Sequence, residues 1–79
     1  GGAEVIYYNF SITVEPYENL ETVYTLKDEN GTTLESWNIS SPTTISMKNL
    51  QTPSGTLYYD NTPSGGNTTG SQTINFNRQ

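Results

Sequence analysis

Ten consecutive residues, Val5 to Val14, alternate so regularly that an extended strand is the conformation that sorts them. Ile6, Tyr8, Phe10, Ile12 and Val14 fall on one face of such a strand, and Val5, Tyr7, Asn9, Ser11 and Thr13 on the other. A helix, whose faces recur about every 3.6 residues, would scatter both sets. Pro16 lacks the N–H that a ladder needs and ends the run, and Pro16-Tyr17-Glu18-Asn19 reads as a turn. This opening strand is also where the apolar residues concentrate: eight of the 24 in the chain lie between Ala3 and Val14. Only 30% of the sequence is hydrophobic, against roughly 45–50% in ordinary globular domains. The remaining residues therefore cannot close a core comfortably unless this strand lies against them.

The same two-residue period continues along the chain. Strands are expected at about 20–27 and 33–39, joined by Asp28-Glu29-Asn30-Gly31, where Gly31 accepts the positive φ of a type I turn with a bulge. That turn places Asp28 opposite Thr32, Lys27 opposite Thr33, Leu26 opposite Leu34 and Val23 opposite Trp37. Thr43 to Asn49 is a fourth strand with Ile45 and Met47 on one face, Thr56 to Asp60 a fifth, and Gln72 to Asn77 a last with Ile74 and Phe76 inward. Residues 61–71 contain no apolar side chain and read as a flexible loop. The expected hairpin register leaves both faces apolar. Leu20, Tyr24, Leu26 and Leu34 lie on one, and Val23, Trp37 and Ile39 on the other. The second set is expected either to be a contact patch or to report a wrong register.

Composition removes most chemistry. With neither cysteine nor histidine there is no disulfide, no thiol nucleophile and no zinc or haem ligand set, and no metal or other cofactor is expected. A serine or threonine nucleophile would lack its usual base. Glu15, Glu18 and Glu21 could pair as acids or hold a hard cation, but they flank a turn and read as solvated surface carboxylates. Three basic residues and a net charge of −5 give no stripe for nucleic acid. No apolar run is long enough to insert in a bilayer as a helix. The chain is thus expected not to be an enzyme. It starts at Gly1 rather than Met, as expected of a processed or excised segment. Thirteen Thr, nine Asn and eight Ser give hydroxyl-rich faces suited to an extracellular or cell-surface protein. Asn9, Asn30, Asn38 and Asn67 stand in Asn-X-Ser/Thr sequons and are candidate N-glycosylation sites. Trp37, Tyr58, Tyr59 and Tyr17 are candidate platforms for stacking on glycans.

Val23-Tyr24-Thr25-Leu26-Lys27-Asp28-Glu29-Asn30-Gly31 resembles the early hairpin of prokaryotic immunoglobulin-like and prealbumin-like surface modules. Thr44 to Leu50 followed by Ser54-Gly55-Thr56-Leu57-Tyr58 is similar to their later strand, turn and strand. The resemblance implies spacers of adhesins, pilus subunits or sugar-binding appendages. It also implies Lys–Asn isopeptide crosslinks in some members, for which Lys27 or Lys48 with Asn75 would be the residues here. The long apolar N-terminal helix of type IV pilins is absent.

The expected fold is therefore a single all-β domain over residues 1–79, a small six- to seven-stranded immunoglobulin-like antiparallel sandwich. Two functional readings follow. In the first, the chain is a homopolymeric filament subunit whose first strand (residues 1–14, through Ile6, Tyr8, Phe10, Ile12 and Val14) completes the sheet of the next copy. In the second, that strand is an ordinary core strand and the chain is one module of an adhesin or a glycan-binding appendage, working against other surface-protein domains.

Overall fold

The computed structural model describes residue 2 and residues 4–79; Gly1 and Ala3 of the expected donor segment lie outside the described residues. Two antiparallel sheets face one another. The seven strands are β1 (Tyr8–Val14), β2 (Thr22–Asp28), β3 (Thr33–Ile39), β4 (Thr43–Leu50), β5 (Ser54–Asp60), β6 (Thr69–Asn75) and the short β7 (Asn77–Arg78). One sheet runs β4-β1-β7 and the other β3-β2-β5-β6. The first strand lies beside the fourth, whereas in an immunoglobulin constant-type domain it lies beside the second. The likeness to that family is one of two-sheet architecture.

The core is built from alternate residues of both sheets. Leu26 and Leu57 have no exposed surface and sit opposite each other on β2 and β5. Phe10, Val14, Tyr24, Ile39, Ile45, Leu50 and Phe76 complete it. Phe10 is its joint. Its ring stacks on Phe76 at 5.6 Å and meets Trp37 edge-on at 6.3 Å, so one side chain of β1 touches both ends of the other sheet's chain path.

The hairpin turn forms as the sequence indicates. Asp28 N–H donates to Thr32 O, Gly31 takes φ 82°, and the Asp28 carboxylate accepts the N–H groups of Asn30 and Thr32. Lys27 faces Thr33, but Leu26 then faces Glu35 rather than Leu34, and Tyr24 rather than Val23 faces Trp37. Leu34 is an extra residue that interrupts the ladder. This corrects the expected register and dissolves the expected contact patch. Ile39 is buried and Trp37 packs on the core, while Val23 alone of the three points to the outer side beside Asn38 and Asp60. The bulge switches the parity of β3, so that Leu34, Trp37 and Ile39 all turn inward although 34 and 37 differ by an odd number. The fourth strand uses the same device. A shift at Lys48-Asn49, with Asn49 at φ 61°, brings Ile45, Met47 and Leu50 to one face.

Residues 61–71 are not a loose loop. Thr62–Ser64 form a 3-10 turn capped by Gly65 at φ 90°, and β6 already begins at Thr69. Asn61 N–H donates to Thr68 O, and Gly66 and Ser64 N–H groups donate to Asn61 O. Polar backbone and amide bonds supply the order that apolar side chains do not.

Because Phe10 is 4% exposed and bridges the sheets, Phe10→Ala is expected to cost about 3–5 kcal/mol of unfolding free energy. Val5→Ala, at a residue 59% exposed, is expected to change it by less than about 0.5 kcal/mol. Equilibrium urea denaturation checks both; equal effects would contradict this placement of the first strand.

Candidate functional site

The two sheets are unequal, and the inequality defines the site. Next to β1 on one side runs β4, paired with it along the whole strand. On the other side β7 pairs only through Tyr8↔Arg78 and Asn9↔Asn77, with Gln79 N–H donating to Tyr7 O at 3.0 Å. Beyond Asn9 that edge of β1 has no partner strand among the described residues. An antiparallel strand sends the N–H and C=O of alternate residues to opposite sides. The alternation that turns Tyr7 O towards Gln79 therefore turns the N–H and C=O of Ser11 and Thr13 onto the unpaired edge.

The edge is open because the chain changes sheets. Phe76 N–H donates to Pro53 O at 2.9 Å, the last rung of the β5–β6 ladder, and its ring is buried; the chain crosses to the other sheet only after it. Gly55 permits this, since a Cβ there would stand 2.5 Å from Lys27 O and 2.9 Å from the Phe76 ring. In the β7 register the residues that would continue along β1 beyond Asn9 are 76 back to 72, and these stay with the four-stranded sheet. On the inner face of β6, Ile74 packs on the core and the Tyr59 ring lies against Gly70, which leaves Gln72 uncovered. Gln72 lies opposite Leu57, which is fully buried, so its side chain starts on the core side, yet Gln72 is exposed. Between the open edge and Gln72 lies a groove of about 390 Å³, lined among others by Ile12, Val14, Tyr17, Tyr24, Tyr59 and Gln72. Tyr17 stacks on Tyr59 at 4.6 Å and forms one end of it. Burial raises the phenol pKa of both Tyr17 and Tyr24, and Tyr24 donates to Glu15 O at 2.6 Å.

A polar clasp holds the groove's end in place. Glu18 adopts φ 58°, a left-handed conformation unfavourable for a side chain with a Cβ. Its Oε2 accepts Asn67 N–H at 3.0 Å and Asn61 Nδ2 at 2.6 Å. Asn61 is fully buried; its Nδ2 also donates to Tyr17 O, and its Oδ1 accepts Thr68 N–H at 2.7 Å. The backbone bond from Asn67, with that from Asn61, holds the Glu18 carboxyl below its ordinary pKa. Hydrogen bonds from Thr62 do the same for Asp60.

Of the five residues expected to be donated, Phe10 and Val14 are buried in the chain's own core, Tyr8 and Ile12 pack on it, and Ile6 is exposed beyond the strand's start. Glu15, Glu18 and Glu21 do not converge. Glu18 is engaged as described, Glu21 accepts Ser40 Oγ, and no cluster of three potential metal ligands occurs among the described residues. Lys27 lies with its ammonium 5.3 Å from the Tyr58 ring centre, while Asn75 is exposed opposite Ser54. Among the sequons, Asn30, Asn38 and Asn67 are exposed and Asn9 is half-buried beside Asn77. Of the four aromatic candidates, Trp37 and Tyr59 pack on the core, and Tyr17 and Tyr58 are exposed. No helix among the described residues is long and apolar enough to cross a membrane. Sequence reasoning missed Ser11, Thr13, Gln72, Glu18 and Asn61 as features of this site. The one legible signal was Gln72, a polar residue at an inward position between Gly70 and Ile74.

No known protein family, no curated protein and no solved structure matches this chain.

The clasp sets a pH dependence. A carboxyl whose folded pKa lies below its unfolded value stabilises the fold above the unfolded pKa, and that contribution is lost as pH falls through the folded pKa. Thermal melting between pH 7 and pH 3 is expected to show a smaller acid-side loss for Glu18→Gln than for the unaltered chain; identical pH profiles would contradict it. Asn61→Ala strands Thr68 N–H and is expected to cost about 1–3 kcal/mol in the same measurement at neutral pH.

Proposed function

We propose that this chain is a non-enzymatic structural protein of an extracellular or cell-surface filament, whose copies join by β-strand addition. The observation that carries the reading is the unpaired edge of β1 beyond Asn9, lying beside a groove onto which the uncovered Gln72 of β6 opens. An added strand would gain a ladder of main-chain bonds from Ser11 and Thr13, and every second side chain of it would enter the groove.

Edge treatment supports the reading. Exposed sheet edges are usually blunted by bulges and charges. The outer edges β3 and β4 each carry a bulge, and each carries a charged residue, Glu35 and Lys48. The flank formed by β1 and β6 has neither: both strands lack charged residues, and β6 pairs with β5 without a shift. A hydroxyl-rich surface bearing exposed sequons at Asn30, Asn38 and Asn67 fits a glycosylated protein outside the cell.

Light scattering over increasing protein concentration tests the reading, with electron microscopy of the product. The expected result is concentration-dependent growth into linear, unbranched particles. A chain that stays monomeric and folded at the highest concentration would overturn it.

The second reading is a module of an adhesin that binds glycans. Tyr58 favours it, being 43% exposed on the outer face of the four-stranded sheet beside Lys27, with Thr25, Thr69 and Ser71 around it. It predicts glycan-array binding that Tyr58→Ala abolishes while the unfolding midpoint stays the same. Absence of any array signal from the unaltered chain would remove it.

A further inference from the structure

From the placement of one exposed segment and one groove, we infer that the occupant of the β1 groove is the arm Glu4–Tyr7 of a second copy. The inference rests on the strand-addition reading and deepens it, because it separates the donor from the first strand. In the filament scheme read from sequence, residues 1–14 leave together. The structure divides that stretch. Tyr8–Val14 is the central strand of its own sheet, with Phe10 and Val14 buried. Residues 4–7 belong to no strand, and Val5, Ile6 and Tyr7 are 59%, 39% and 39% exposed. Three successive apolar residues of strong β propensity are thus presented to solvent in a chain with few apolar residues to spare.

The arm cannot serve the groove of its own copy. It joins β1 at Tyr8, whereas the groove lies at the other end of that strand, around Ile12 and Val14. At about 3.4 Å per residue, Tyr8 and Val14 stand roughly 20 Å apart, while Ile6 can reach only about 7 Å from Tyr8. The donor and the acceptor therefore meet only between copies, and the contact uses different surfaces on the two partners. Such a contact is heterologous and propagates head to tail. It also leaves β1 in place, so no copy need open its core to join another.

The open stretch of β1, Phe10–Val14, is five residues long. Val5 and Tyr7 fall on one side of the added strand and Glu4 and Ile6 on the other. In either orientation an apolar side chain enters a groove walled by Ile12, Val14 and Tyr59.

Two variants at exposed positions separate the halves of the contact. Val5→Asp with Ile6→Asp removes the donor, and Gln72→Trp fills the acceptor groove. Each is expected to remain folded and monomeric in sedimentation velocity at concentrations where the unaltered chain assembles. Mixed in equal amounts, they are expected to give a single heterodimer and no longer species, since the mixture contains one intact junction. The chain has no cysteine, so Ile6→Cys and Thr13→Cys, each in a separate preparation, give a second readout. On oxidation the mixture is expected to form the mixed disulfide in preference to either homodimer. If the Val5/Ile6 double variant assembles like the unaltered chain, or no mixed disulfide forms in an assembling sample, the arm is not the donor and strand addition by another segment stands. If the unaltered chain never assembles, the inference and the reading beneath it both fall.

Discussion

The structure depends on the ring of Phe10. A two-sheet protein with so few apolar residues needs side chains that hold both layers at once, and Phe10 does this by stacking on Phe76 while meeting Trp37 edge-on. Those two partners come from distant parts of the opposite chain path, one at the turn from β6 to β7 and one on β3. The strand richest in apolar residues is therefore the one around which the other elements are arranged, and it stays with its own body.

The same ring creates the vacancy. Phe76, the last residue held on the β5 ladder before the chain crosses to the other sheet, stacks on Phe10, and Gly55 clears the space for it. Residues 72–76, which the β7 register would set against Phe10–Val14, are held instead on the β5 ladder, so β7 meets β1 only at Tyr8 and Asn9. Core packing and edge pairing compete for the same residues, and packing wins. Its consequence is a set of backbone groups on Ser11 and Thr13 facing solvent above an uncovered Gln72. Unpaired ladder groups beside apolar walls favour the approach of another strand, which is why the site, the proposed assembly and the fold share one physical origin.

Much of the fold was legible because alternation reports burial directly. The strand expected over Val5–Val14 from its period of two forms over Tyr8–Val14, with Val5–Tyr7 outside it, and Asp28-Glu29-Asn30-Gly31 specified its turn down to the conformation of Gly31. What failed was parity beyond a bulge. Leu34 and Asn49 each insert a residue, and after the insertion every side chain changes face. A period read through such a point assigns Trp37 and Ile39 to the wrong side. No local composition marks the position of the bulge, because the three-dimensional packing of Leu34 and Trp37 decides it. The loop after Asp60 failed for another reason. Its order comes from Asn61 and Glu18, two polar residues 43 positions apart, and apolar counting cannot see bonds of that kind. The site was nearly invisible, since an unpaired edge is a property of strand order.

Amide hydrogen exchange at single residues of β1 tests the central claim most directly. In the dilute monomer, Phe10, Ile12 and Val14, whose N–H groups face β4, should be protected, and Ser11 and Thr13 should exchange freely. In the assembled sample, Ser11 and Thr13 should become protected along with them. If Ser11 and Thr13 are protected in the monomer, or still exchange freely after assembly, the edge of β1 is not where the copies join.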